Sequence, residues 1–412
     1  MDNRMDIVFL PTHSWTKCEA EGFRTRDAHL LLEFEKSPLI RRILVVDRPT
    51  SLAEILGKGR YWRPKSGQLV YRKGRVFLIR ISDRIYVLDI VSLGLLRPMI
   101  QRQRWWYRQF KRPYVITAIH GALTYLDFHN HVLFLANPLN LGAVGKIGER
   151  MLVFDATDNL LKHAYMKNVK IEVERGYELL RRKADIIFAN SEPLTSFMNE
   201  GRTDVFCVRN GVNLEIFNRN LSGHIPYDIQ PIHRPIIGYA GKINKRLDIG
   251  LLEFVVGEVP EASFVFIGQM MDYRWFKPLL KFSNVYYLGD KHYSMLPAYL
   301  SAFDICSVPH NVGINEHDGD IIKAYEYLAI GKPVVSTGVV GIDSFKHLIF
   351  VAQTKEEFLS GVRKYLQMGR EEREEMSRRI RDSIPYSWTW ESRANRIIDY
   401  IREYKNRKEI SL

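Results

Sequence analysis

The stretch Asp318–Ser336 reads DGDIIKAYEYLAIGKPVVS. Its spacing predicts a short helix, a glycine stop and a buried strand. Ile321, Ile322, Tyr325, Leu328 and Ala329 fall within about 120° of one helical face, the width of a stripe that packs on a core. Gly331 sits where a left-handed residue ends a helix, and Pro333 blocks continuation. Val334 and Val335 then begin a strand. Lys323 and Glu326 lie off the stripe, three residues apart, so both are placed to face a cleft. Asp318, Gly319 and Asp320 make a cap-rich start whose free N–H groups suit a phosphate.

Outward from this stretch, short apolar runs alternate with helical spacing. Ile7–Leu10, Ile43–Val46, Val115–Ile119, Val132–Leu135, Leu152–Phe154, Ile186–Ala189 and Val205–Val208 read as strands, with longer helical stretches such as Leu161–Leu180 between them. Val76–Arg80 and Ile85–Asp89 flank Asp83-Arg84 as a β-hairpin. Asn218–Pro235, carrying Pro226, Pro231 and Pro235, reads as a linker. The pattern restarts with Ile236–Ala240, Phe264–Ile267, Val285–Leu288, Ile305–Val308 and Val334–Ser336. This βα alternation predicts an α/β fold of two doubly wound, Rossmann-like domains. Ligands of such sheets bind at the C-terminal ends of the strands, here in a central cleft that the two domains face. The last segment, from Pro385 onward, is strongly periodic and predicts a closing helix.

The 412 residues suffice for two domains, and a 46% hydrophobic content indicates a folded chain. No apolar run reaches the length of a membrane-spanning helix; Ile85–Ile100 is broken by Asp89, Gly94, Arg97 and Pro98. The N-terminus lacks the shape of a signal peptide, and Cys18, Cys207 and Cys306 have no paired metal-ligand spacing, which together predict a reduced, cytoplasmic setting. Charge is uneven. Residues 1–220 carry a net +12 and residues 221–412 a net +1, and residues 58–112 hold 15 basic but only 2 acidic side chains. Such a lobe should meet something anionic.

Several motifs together resemble the retaining GT-B glycosyltransferases of family 4. In that family an acidic residue, seven others and a Glu precede a G-x-P-V-V turn and strand; Asp318 and Glu326 have that spacing, with Asp in place of the usual Glu. VRNGVNLEIF, from Val208, resembles the element that ends the family's first domain, with Asn213 replacing the common Asp. GYAGKINKRLD, from Gly238, resembles its diphosphate-binding loop. The resemblance implies a first domain over 1–220 that binds the acceptor and a second over 221–385 that binds a nucleotide-sugar. A helix over 386–412 would return to the first domain, with Trp388 or Trp390 near the crossover. It implies Glu326 on the ribose, Asp318 near the sugar, and Lys242 and Arg246 on the diphosphate, with Gly241 admitting the backbone. Lys323 joins this donor set. The loop at Gly268 and the turn after Gly289 would help to seat the base, and Gly22, in EGFR, would correspond to a first-domain glycine near the phosphates.

His120 and Asp155 each end an expected strand, with Asp158 two residues on from Asp155, so they are candidates for orienting the acceptor or handling a proton. Glu316, His317, Asp318 and Asp320 also have donors for Mg²⁺ or Mn²⁺, as the paired Asp of GT-A enzymes does. That family uses a different single-domain fold, and Lys242 and Arg246 can neutralise a diphosphate, so no metal or other cofactor is expected. Finally, Arg97–Arg112 holds six cations and no acid. On a helical wheel Met99, Ile100, Trp106, Tyr107 and Phe110 cluster within about 120°, with Arg102, Arg104, Arg108 and Arg112 outside, as an interfacial helix requires. Trp105 departs from that pattern. No nucleic-acid motif accompanies it. The expected partners are therefore a nucleotide-sugar, a lipid-linked or glycan acceptor, and the anionic inner face of the cell membrane. A small soluble acceptor, or a binding protein that only retains the fold, are the alternatives.

Overall fold

A computed structural model describes residues 4–58, 66–101, 103–219 and 225–410. The chain divides into two compact units, Met1–Arg209 with Ala394–Leu412, and Asn210–Arg393. The divisions fall at Arg209 and Arg393 rather than near 220 and 385. One reason is that the expected linker is packed: Ile229 and Ile232 are buried in the second unit's core, and Asp228 accepts from Tyr299 (2.8 Å) and pairs with Lys291 (2.7 Å). Part of that segment, 220–224, lies outside the described residues.

The first unit is built on one sheet. Its strand order is Val205–Cys207, Ile186–Ala189, Met151–Ala156, Val132–Leu135, Met5–Leu10, Ile40–Val46, Ile85–Ser92, Val76–Arg80 and Gln68–Lys73. All neighbours pair in parallel up to Ile85–Ser92; the last two strands continue antiparallel, which makes the expected hairpin an edge extension. The central strands are buried along their length, as parallel strands covered by helices on both faces must be. Val115–Ile119 is not a strand. It lies inside the helix Pro113–Tyr125, which starts with proline at its first turn and buries Val115, Ala118, Ile119, Ala122 and Leu123 at helical spacing. The C-terminal residues of the closing helix Trp390–Ile410 pack in this unit: Tyr400 stacks on Phe206 with ring centroids 4.1 Å apart, and Tyr404 donates to Asp185 (3.2 Å).

The second unit holds a six-stranded sheet, ordered Val285–Tyr287, Ser263–Ile267, Ile236–Ala240, Ile305–Val308, Val334–Thr337 and Phe350–Ala352, parallel throughout. The stretch that opened the reading folds as expected in outline. A helix spans Ile322–Ala329, Gly331 takes φ 70°, and the Gly331 and Lys332 amides close onto the carbonyls of Leu328 and Tyr327. A Cβ on Gly331 would come within 2.5 Å of the Ser377 carbonyl oxygen, so the position demands glycine for space as well as conformation.

Candidate functional site

The chemistry-bearing side chains of the second unit converge where its central strands end. Strand Ile236–Ala240 leads into the loop Gly241–Arg246. The Gly241 amide donates to the Ile267 carbonyl at 2.8 Å, and its φ of 157° turns the chain away from the sheet. A Cβ here would sit 2.9 Å from both the Lys323 Cε and the Tyr239 hydroxyl, so glycine leaves the space that Lys323 occupies. Gly268 ends the next strand, and its own Cβ would overlap the Gly241 carbonyl at 2.0 Å. The two strand ends thus approach closely because both lack side chains. Leu247 then pairs with His310, and the Arg246 backbone is held by the Asn244 side chain (2.9 Å) and by the Asn311 amide (2.7 Å), which fixes the loop.

The helix Ile322–Ala329 is pinned against this loop. The Tyr327 hydroxyl accepts from the Ala240 amide (2.8 Å) and donates to the same residue's carbonyl (3.3 Å). Lys323 and Glu326 project from the same helix. Glu326 departs from the reading that put it off the buried stripe: it is 5% exposed, and Ala324 and Tyr327 are buried beside it. The helix is enclosed on nearly every side, by the helices Leu214–Arg219 and Arg370–Asp382 and by strand Val334–Thr337. Burial, and the charge of Glu326 next to it, hold the Tyr293 phenol well above its ordinary range.

Lys323 has an unusual environment for an ammonium. Its Nζ lies 3.5 Å from the His310 Nε2 and 4.9 Å from the centre of the Tyr239 ring. Burial, and then the charge of Arg246, pull it from the ordinary lysine value down to about 7, with Glu326 opposing. The same surroundings keep His310 neutral: burial, Lys323, Arg246 and His317 all lower it. Among the described residues, Lys242, Arg246 and Lys323 have no carboxylate within ion-pair reach. Arg246 and, once protonated, Lys323, with Lys242 exposed on the same glycine turn, can hold a di-anion such as a diphosphate.

The acidic start of the helix is organised differently from the expected cap. Asp320 accepts from the Asn210 amide and from the Tyr325 hydroxyl, both at 2.8 Å, while the Asn210 side chain donates to the Asp320 carbonyl. The Asn-Gly turn and the acidic loop are therefore one structure, and the helix's own N-cap, Ile321, offers no side-chain bond. Glu316 accepts from the amides of Gly313 and Val340. Asp320 and Glu316 are thus already bonded within the loop. Asp318 is 8% exposed and takes φ 59°, a left-handed conformation that Asp tolerates better than most residues. Trp388 packs edge-on against Tyr325 (5.6 Å) and Phe345 (5.0 Å), and Trp390 is buried.

The first-unit candidates are placed less favourably. His120 does not end a strand; it is exposed on the helix Pro113–Tyr125 and bonds the Lys146 carbonyl (2.8 Å), so the argument for it from strand ends fails. Asp155 does lie near a strand end, but both its oxygens are taken by Arg26, the nearest contact being 2.8 Å, and the pair is 0% and 3% exposed. That bond anchors the helix Arg26–Lys36 and ties both Asp155 oxygens to a buried guanidinium. Gly22 ends the helix Trp15–Glu21 at φ 80°, with Phe23 also left-handed and stacked edge-on to Trp15; a helix C-cap explains this glycine. The basic segment is two helices, Leu96–Gln101 and Gln103–Gln109, with Arg102 outside the described residues. Its exposed apolar face keeps Met99 and Ile100 of the expected set but not the aromatic residues. Trp105 and Phe110 are buried, Tyr107 is half-buried, and the Arg48 guanidinium covers Trp106 at 3.6 Å. Exposed instead are Leu93, Leu95, Leu96, Met99 and Ile100, at 49% to 78%, with Arg97, Arg104 and Arg108 also exposed.

Residues 248–399 match a family model described as glycosyl transferase-like. Over 164 residues the chain is 27% identical to the putative teichuronic acid biosynthesis glycosyltransferase TuaH of Bacillus subtilis (strain 168), a match spanning 38% of this chain and 41% of that protein. The solved structures it resembles include a sucrose-phosphate synthase from Thermosynechococcus elongatus, with a TM-score of 0.68, 13% identity, and 97% and 99% of the two chains covered. Another is HepE of Anabaena, in complex with UDP and glucose, with a TM-score of 0.63, 15% identity, and 97% and 100% covered. The fold is GT-B. The sequence reading missed Tyr239, Tyr293, His310 and Tyr327. A rule it did use, that residues just past a strand's end face the ligand, would have found His310 two places beyond Val308.

Proposed function

We propose that the protein is a glycosyltransferase that moves a sugar, with retention, from a nucleotide-sugar to a lipid-linked or polysaccharide acceptor. The observation that carries this reading is the group of Lys242, Arg246 and Lys323 around Gly241, without carboxylate partners among the described residues, next to the buried Glu326. In this reading the donor's diphosphate meets the three cations, Glu326 holds the ribose hydroxyls and Asp318 lies near the sugar. As the glycosidic bond breaks, negative charge grows on the diphosphate, and fixed cations stabilise that charge more in the transition state than before it. The first unit takes the acceptor. With Asp155 held by Arg26, the reading favours same-face transfer through an oxocarbenium-like state over a covalent intermediate. The matched glycosyltransferase-like segment, 248–399, includes His310, Lys323 and Glu326, which supports placing the donor in this unit.

The test is a thermal-shift and turnover screen against UDP-glucose, GDP-mannose and ADP-glucose. At least one should raise the melting temperature and be consumed when lipid-linked or glycan acceptors are supplied, equally well with and without EDTA. No response to any of them defeats the proposal, and loss of turnover on chelation defeats its metal-free form.

The same proposal places the acceptor at an anionic membrane on the inner face of the cell, supported by the exposed residues Leu93, Leu95, Leu96, Met99 and Ile100, with Arg97 exposed among them. No helix among the described residues is long and apolar enough to cross a membrane, so attachment would be peripheral. Replacing Leu96, Met99 and Ile100 together with Ser removes three exposed apolar side chains and no charge. Co-sedimentation with phosphatidylglycerol vesicles should drop by about two decades, since each buried side chain contributes roughly 1 kcal/mol. Donor binding should be unchanged. A variant that binds vesicles as the wild type does removes the membrane from the reading.

A further inference from the structure

Lys323 presents an electrostatic problem that the empty site does not solve. Its neighbours are a cation, Arg246, on the loop after strand Ile236–Ala240; a neutral imidazole, His310, after strand Ile305–Val308; and an aromatic face, Tyr239. Glu326, one turn along its own helix, is the acidic group that acts on it among the described residues, where no ion pair joins the two. His317, beyond His310, adds to the pressure against positive charge by acting on that imidazole. Lys323 is half-buried, and a charge partly removed from water without a close counter-ion is costly, a cost that a lysine can avoid by giving up its proton.

We propose that above neutral pH Lys323 is largely uncharged in the ligand-free protein and takes up one proton as the diphosphate of a nucleotide-sugar arrives, so that the third cation of the site is then supplied by substrate binding. This rests on the donor reading above. The proton comes from solvent and ends on the Lys323 Nζ; no other bond changes. The geometry prepares the amine for it. The His310 Nε2 stands within hydrogen-bonding distance of the Tyr239 hydroxyl, at 3.1 Å, and that hydroxyl also reaches the Lys242 carbonyl at 3.3 Å. The imidazole Nε2 lies 3.5 Å from the amine, and the missing Cβ at Gly241 leaves the amine lying across the turn where the phosphates would sit.

The linkage has a definite sign. With Lys323 near 7 in the empty site and raised by a bound anion, binding consumes protons above pH 7 and none well below it. His310 is lowered out of this range and Tyr239 raised out of it, and a sugar-linked diphosphate has no proton to exchange there, so the uptake reports on Lys323.

The experiment is titration calorimetry of the intact protein with UDP-glucose, GDP-mannose and ADP-glucose, in buffers of differing ionisation enthalpy, from pH 6 to 9. The expected result is near-zero uptake at pH 6, about one proton at pH 8.5, and affinity falling about tenfold per pH unit above 7.5. Lys323→Arg should bind with no uptake and a flat pH profile, and Lys323→Met should bind more weakly and also without uptake. Wild-type binding without proton uptake at pH 8.5 overturns the proposal while leaving the donor site in place, as does full uptake in Lys323→Arg. Absence of binding by all three nucleotide-sugars overturns both.

Discussion

Replacing Glu326 with Ala should weaken nucleotide-sugar binding by roughly 2–4 kcal/mol, the loss expected when a carboxylate that accepts two hydroxyls is removed. Two effects act together. In the proposed donor site the hydrogen bonds to the ribose would disappear, and Lys323 would lose the charge that favours its protonated form, so the diphosphate would meet a less cationic site at neutral pH. Because Glu326 is 5% exposed and lies against Tyr293, the Ala variant also leaves a small cavity and should melt somewhat lower. Glu326→Gln separates the two consequences. It preserves volume and can still bond the Tyr293 hydroxyl, so its melting temperature should stay near wild type while donor affinity falls by about one to two decades. The measurement is donor affinity by calorimetry beside circular-dichroism melting. If both variants bind every donor as the wild type does, Glu326 is a structural carboxylate and the ribose contact lies elsewhere.

The parts that were legible in the sequence are those set by local chemistry. Nearly all the strands of both units announce themselves as short apolar runs between polar residues, since a parallel strand buried on both faces leaves no room for polar side chains. Gly331 was legible because a left-handed helix end has few alternatives to glycine, and Gly241 because its loop resembles one where the backbone approaches a ligand. Val115–Ile119 misled because β-branched residues in a short apolar run fit a strand and a buried helix equally well; Pro113 at the helix's first turn was the signal against a strand. The site residues divide along the same line. Lys242 and Arg246 are recognisable from the resemblance of their glycine loop, and Lys323 from its place off the helix's apolar stripe. What places His310 and Tyr239 next to Lys323 is the pairing of distant strands, with His310 reaching the lysine across the end of Ile236–Ala240. The basic segment failed on a related point: a helical wheel gives the direction of each side chain but not what covers it, and Arg48, more than fifty residues away, covers Trp106.

Arg246→Ala should show the opposite balance from Glu326→Ala, with turnover falling by roughly 10²–10³-fold and donor affinity changing far less. The argument begins with the loop. Its backbone is fixed by the Asn244 side chain, the Asn311 amide and the Leu247–His310 pairing, so truncating the Arg246 side chain removes a charge without releasing the turn. In the ground state the loss is partly offset, because Arg246 is one of the causes holding Lys323 down; without it Lys323 should charge more readily at neutral pH and keep much of the diphosphate's binding. The transition state has no such reserve. Charge grows on the departing diphosphate as the glycosidic bond opens, and a site with two cations in place of three cannot match it. Arg246→Lys should recover part of the rate, since the charge returns but the forked geometry does not. Single-turnover rates measured beside calorimetric affinities distinguish the two contributions. Wild-type turnover in Arg246→Ala would place the diphosphate away from the Gly241 loop, and an affinity loss as large as the rate loss would make Arg246 a binding residue that acts equally on ground and transition states.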